Sequence, residues 1–283
     1  MLSSVASRIL ERVDVLLAEA RATGRDRALN DARSQLKFRL ARAFLAQARA
    51  FMRHIESTRR EWNAPDEPAD WLGGAWERSF DAAARETSRA FVVPLENAVR
   101  RSLRLGAEAL TRDLRISMAF DLQHPLAQMY VHDHGAALVA RVNDVTREYL
   151  RTVIERGVQE GWSYDRIAQA IIDRYEEFAI GRPQLHIDSR AHLIAVTETG
   201  NAYEEGAYQI VSGLRDLGLQ MEKSWLTVGD DRVEETCMNN EAQGWIGLDE
   251  QFPSGHLHPL AHPACRCTIL YRRKQEPAAE QIV

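Results

Sequence analysis

Lysine is almost missing from this chain: of 36 basic residues only Lys37, Lys223 and Lys274 are lysine. So one-sided a use of arginine follows GC-rich coding and marks no site. Cysteine is equally scarce. Three thiols in 283 residues, Cys237, Cys265 and Cys267, exclude the dense, even pattern of a secreted disulfide scaffold. No apolar signal segment follows Met1, so a reducing cytoplasm is the expected site of synthesis. No stretch approaches the roughly 20 apolar residues that cross a bilayer, because Arg or an acid interrupts each helical run, and no membrane partner is expected. A phosphate-cradling glycine loop and a nucleophile elbow are lacking as well.

What is present is enough apolar residue, 45%, for one large domain or two ordinary ones. The charge is unevenly placed. Residues 1–115 carry 21 Lys+Arg against 16 Asp+Glu, and 116–283 carry 15 against 25, so halves of +5 and −10 lie behind the net −5. A basic half that contacts DNA is one reading, and a solvated arginine face is the plainer one. Apolar residues recur at helical spacing along most of the chain. A first helix carries Val5, Ile9, Val13 and Leu16 up to Thr23-Gly24. A second runs from about Asn30 to Asn63-Ala64-Pro65 with Leu36, Leu40, Phe44 and Phe51 on one side. Residues 63–76 read as a bent connector with Trp62, Trp71 and Trp76, and a long helix from about Ser79 is closed at His124-Pro125. Further helices follow over about Leu138–Gly157, from an N-cap at Ser163, and over about Asp188–Ser212.

Beyond Gly213 the period changes from 3.6 to 2. Leu219 to Val228 alternates as a strand, a short helix covers about Arg232–Asn239, and Cys265 to Tyr271 alternates again. The expected fold is therefore mainly α with a small α+β C-terminal domain: a long helical N-terminal arm or bundle, then helices packed on a short antiparallel sheet. The boundaries drawn are 1–134 for the helical region, 135–272 for the C-terminal domain and 273–283 for a patternless tail.

The chemistry of the chain is concentrated near its end. Cys265 and Cys267 lie two apart on the expected last strand, so that their thiols share a face, His262-Pro263 precedes them, and Cys237 lies about thirty residues upstream. Tetrahedral zinc takes such a set, because thiolate and imidazole donors match its borderline softness and a Cys₃His cage leaves no open position. His256, His258, Glu234 and Asp231 are reserve ligands. A metal-free hydrogen-bonded knot explains the same residues, since free cysteines are often only small buried hydrophobes. Asp230-Asp231-Arg232 offers a carboxylate beside a guanidinium, and Arg266 offers a second guanidinium, a pairing that fixes a turn against the sheet. Glu198, beside Thr197 in an apolar helix, has no second acid or base next to it and reads as a structural partner.

In order along the chain stand Gly161-Trp162-Ser163, Arg190 to Thr199, Trp225, Asp231-x-Val233, Cys237, Phe252 and His262-Pro263-Ala264-Cys265-Arg266-Cys267. Together these resemble the C-terminal domain of the phage Mu F-like minor head proteins, over about residues 135–272. Two departures stand out: Val196 replaces an arginine common in that family, and Glu234 stands where many members have the first cysteine of a Cys-x-x-Cys. The resemblance implies a low-copy head component, made in the host cytoplasm and carried in the virion at the head interior or portal vertex. Its partners would be the portal protein, the scaffold or the major capsid protein, and no catalysis is implied. It leaves the helical first half as the docking region. A different class of function, a metal-dependent nuclease or toxin-like effector, is suggested by His256, His258 and His262 near the cysteines.

Overall fold

The computed structural model describes residues 2–61, 74–179 and 189–274. Most of the tryptophan-bearing connector, the Gly181-Arg182-Pro183 stop and the tail from residue 275 lie outside the described residues. In chain order the elements are α1 (Leu2–Glu61), α2 (Ala75–Asp113), α3 (Pro125–Gln159), α4 (Tyr164–Ala179), α5 (Arg190–Asp216), β1 (Met221–Leu226), α6 (Glu235–Ala242), β2 (Ile246–Gly247) and β3 (Thr268–Arg273). The fold is mainly helical with one small sheet, in agreement with the sequence reading.

Several boundaries differ from that reading. The stop at Thr23-Gly24 is not used, and α1 runs through it as one helix. Glycine weakens a helix by about 1 kcal/mol but keeps its N–H, so flanking turns carry it. Conversely, α2 ends at Asp113, well before His124. There Arg115 takes a left-handed φ of 53°, Ile116 N donates to Thr111 O at 3.0 Å and Arg115 N to Arg112 O at 3.1 Å. This is a Schellman cap built on arginine instead of glycine. His124-Pro125 opens α3 rather than closing α2: Pro125 sits at the first position, where no N–H is needed, and His124 Nδ1 accepts from Leu126 N. Helix α5 likewise passes Gly213 and stops with a Schellman cap at Gly218.

The chain forms two compact units, and neither is continuous in sequence. One contains residues 33–99 and 123–195. Its core is aromatic: Phe44 meets Phe91 edge-on at 5.1 Å and Phe178 at 5.5 Å, with Phe51, Phe80 and Tyr175 also buried. Arg190 lies over the Phe178 ring at 4.9 Å and donates to Thr146 Oγ1 and Val142 O. Its burial lowers its pKa to about 10, and the two acceptors and the ring faces are what compensate the charge.

The other unit contains residues 1–32, 100–122 and 196–283. Here α2 and α5 cross backbone to backbone. A Cβ on Gly106 would lie 1.8 Å from Tyr203 O, and one on Gly206 2.0 Å from Leu103 O, so only glycine allows the approach. Against α5 packs an antiparallel sheet in the order β2-β1-β3, with Lys223 opposite Ile246 on one side and Tyr271 on the other. Trp225, Phe252, Leu248, Ile269 and the three cysteines fill the space beneath it, with Ile210, Val211 and Leu214 of α5.

Candidate metal centre

Cys237 enters from the first turn of α6, and Cys265 and Cys267 from the extended segment that leads into β3. All three are buried and free, and their sulfurs lie within 4.8 Å of one another, with Cys237 and Cys265 3.7 Å apart. Two thiolates on one tetrahedral zinc, each bonded at about 2.3 Å, stand about 3.8 Å apart. The spacing of the sulfurs therefore fits such an ion. The thiols are unequal. Hydrogen bonds from Cys237 and Cys267 pull the Cys265 pKa down, while the same bonds and burial push the other two up. The buried indole N–H of Trp225 acts on Cys267 and lowers its pKa.

His262 is not in this close set. Its Nδ1 faces Glu234 Oε1 and Pro263 O, each at 3.1 Å. The turn that carries it is defined by Cys265 N donating to His262 O at 3.2 Å, with Ala264 at φ 57°. Proline second and a left-handed third residue make this a type II turn, which places the two cysteines after it. Among the described residues no histidine joins a group able to hold a metal. His258 Nδ1 meets Pro259 O at 2.6 Å and Nε2 meets Glu205 at 2.9 Å. Both neighbours are acceptors, an arrangement that favours the protonated ring. Burial alone would lower its pKa, but Glu205 raises it on balance. His256 Nδ1 is held by Ser254.

The other motif residues pin the loops to the helices. Thr197 Oγ1 accepts from Ala264 N at 3.0 Å, Glu198 is buried within α5, and Trp225 stands edge-on to Phe252 at 5.1 Å. Arg266 grips a carboxylate with two hydrogen bonds of 2.6 and 2.7 Å, but the carboxylate is Asp230, not Asp231. Arg232 joins the same Asp230 through its N–H and its guanidinium, and Asp231 is exposed. The Arg266 bonds hold the Asp230 carboxyl well below the usual range.

Sequence reasoning missed the remaining supports. Glu241 of α6 binds Thr227 N and Oγ1, Asn240 exchanges hydrogen bonds with Ser254, and Asn201 Oδ1 accepts from Leu260 N. A signal for part of this existed. Thr197, Asn201, Glu204 and Glu205 recur at helical spacing on α5, and that polar stripe is the surface on which the 256–268 loop is tied.

Residues 148–270 match the family model described as phage Mu protein F like protein. The match makes this segment, less than half of the chain, similar to a family of phage head morphogenesis proteins. More narrowly, the chain is Mu F-like, through the segment that holds α4 to α6, the sheet and the three cysteines. No curated protein and no solved structure matches the chain.

Proposed function

We propose that this protein is a minor, portal-associated component of the phage head, in which the cysteine-bearing unit is a rigid module closed by a structural zinc ion. The family match supports the head assignment, and the portal is our own step beyond it. Head association by itself gives capsid-related partners, and the portal protein is the one we assign, with the scaffold and the major capsid protein as the alternatives at the same vertex. The location is then the head interior or portal vertex. Helices 33–99, with arginines 39, 42, 49 and 53, supply the docking faces and a surface that DNA passing the vertex would meet.

The converging sulfurs carry the second part. Cys237, Cys265 and Cys267 would hold the zinc, with His262 as fourth ligand through Nε2. Glu234 at Nδ1 is then the carboxylate that orients a ligating imidazole. This gives Glu234 a role at the position where many relatives have cysteine. Zinc bound by four protein groups cross-links a loop-rich segment and activates no water. The occupied ring nitrogens of His258 also favour a structural over a hydrolytic site.

The test is pairwise co-expression with the portal, scaffold and major capsid proteins, followed by affinity capture. Capture of the portal at a fixed ratio is expected. Capture of none of the three overturns the assignment.

A further inference from the structure

Arg25 belongs to α1, yet its guanidinium is bonded to the far end of the chain. Nη1 donates to the backbone carbonyl of Cys267 at 2.7 Å and to Glu204 Oε1 at 3.1 Å. Both side chains of that ion pair are 2% exposed. The other oxygen of Glu204 accepts from Thr268, the residue after Cys267, at 3.4 Å. Burial works against the pair: it pushes the Glu204 carboxyl up, and Arg25 stays firmly protonated only through Glu204 and Asp26. Apolar side chains of similar size would join a helix to a sheet at least as well. What an arginine adds is direction, because its bond to Cys267 holds only while that carbonyl stays in place.

Besides Arg25, Asp31 of α1 pairs with Arg101 of α2 at 3.5 Å, and Leu29 is fully buried. The apolar cluster of this unit, which runs from Ala107 to Tyr271, includes no described residue of α1, although Leu29 and Ala32 are buried outside it. A cavity of about 680 Å³ lies beside Arg25 instead, bordered by Gly24 and Ala28 of α1, Gly106 of α2, Ala207 of α5 and Thr268 of β3.

We infer that Arg25 is a latch that makes the seating of the N-terminal part of α1 depend on the state of the cysteine cluster. The inference rests on the zinc reading above. Cys265 to Cys267 lie outside regular strand, and β3 pairing begins only at Thr268 opposite Leu226, so the sulfurs hold the N-terminal side of the peptide that carries the Cys267 carbonyl. Once the sulfurs are free, the carbonyl moves and leaves the buried guanidinium, whose Nε is already without a partner, with a further unfilled donor. That state is relieved by moving α1 into water. Loss of metal therefore frees residues 23–32 for a partner.

Hydrogen exchange on the full chain, loaded with one equivalent of zinc or treated with chelator, reads this out. Chelation is expected to speed exchange at least tenfold in residues 23–32 as well as in 262–273. In Arg25→Gln, residues 23–32 exchange fast with or without zinc, while zinc uptake and its protection of 262–273 persist. If that variant does not fold, Arg25→Lys, which keeps the charge but not the paired donors, is expected to show the same uncoupling. Zinc that binds and protects 262–273 but leaves 23–32 unchanged overturns the latch alone. A wild-type chain that takes up no zinc overturns the metal reading and the latch with it.

Discussion

Lys223 is a costly residue for its position. It stands in the middle strand of the sheet with no exposed surface, and its Nζ has no hydrogen-bond partner. Only the rings of Phe252 at 5.3 Å and Tyr208 at 5.6 Å face it closely. The nearby acids are engaged elsewhere, Asp249 with Arg215 and Glu250 with Gly247 N. Burial lowers the Lys223 pKa to about 8 from 10.5, against the opposing pull of Asp249 and Glu250. The folded chain thus sheds this proton before the unfolded chain does. Its contribution to stability rises as pH climbs from about 8 to 10.5, and the full penalty applies below 8. Lys223→Met should raise stability at pH 7 by on the order of 1–2 kcal/mol, the burial penalty less the lost ring attraction. Thermal melts of both proteins from pH 7 to 10.5 check this: the gap should close with rising pH, and a constant gap contradicts it. Ala264 is a second strained residue, held at φ 57° by the turn before the cysteines. Ala264→Gly should stabilise by up to about 1 kcal/mol, the left-handed penalty less the added freedom of the unfolded chain. Denaturant titration measures it, and a loss of stability would show that the methyl group contributes packing that outweighs the strain.

Between elements, two glycines carry opposite expectations. Gly206 meets the backbone of α2, so Gly206→Ala must push α2 and α5 apart and should cost about 1–3 kcal/mol despite better helix propensity. Gly24 has nothing within 4 Å of its would-be Cβ, and Gly24→Ala should stabilise by about 1 kcal/mol. Equal effects at the two positions would contradict the crossing described here. The same pair shows where sequence reasoning succeeds and fails. Helical period, the change to alternation after Gly213 and the short sheet were all legible, because they are local patterns. Helix ends were not: Gly24 resembles a stop and is not one, whereas α2 stops at Arg115, which bears no glycine or proline signal. A cap formed by backbone bonds is decided by what the next segment packs against, and that lies elsewhere in the chain. At the candidate site, the cysteines were visible as a spacing. Arg25 was not, since nothing local to it points to Cys267, 242 positions further along the chain. Asp230 and Asp231 were indistinguishable until the turn had chosen which one faces Arg266.

At the scale of the molecule, the two compact units cut across the linear order. Residues 1–32 and 100–122 fold with 196–283, so part of the helical first half belongs to the same body as the cysteines. A division by resemblance follows homologous sequence, whereas a division by packing follows contacts, and long helices such as α1, α2 and α5 contribute to both units. In this arrangement, a zinc cross-link at residues 237–267, as proposed above, would also brace the helices packed around it. The most direct measurement of the head-component assignment is protein mass spectrometry of purified phage heads, before and after packaging. The account predicts this chain in both, at a few copies for each portal. Its absence from heads and procapsids that contain portal and capsid protein in normal amounts would contradict it.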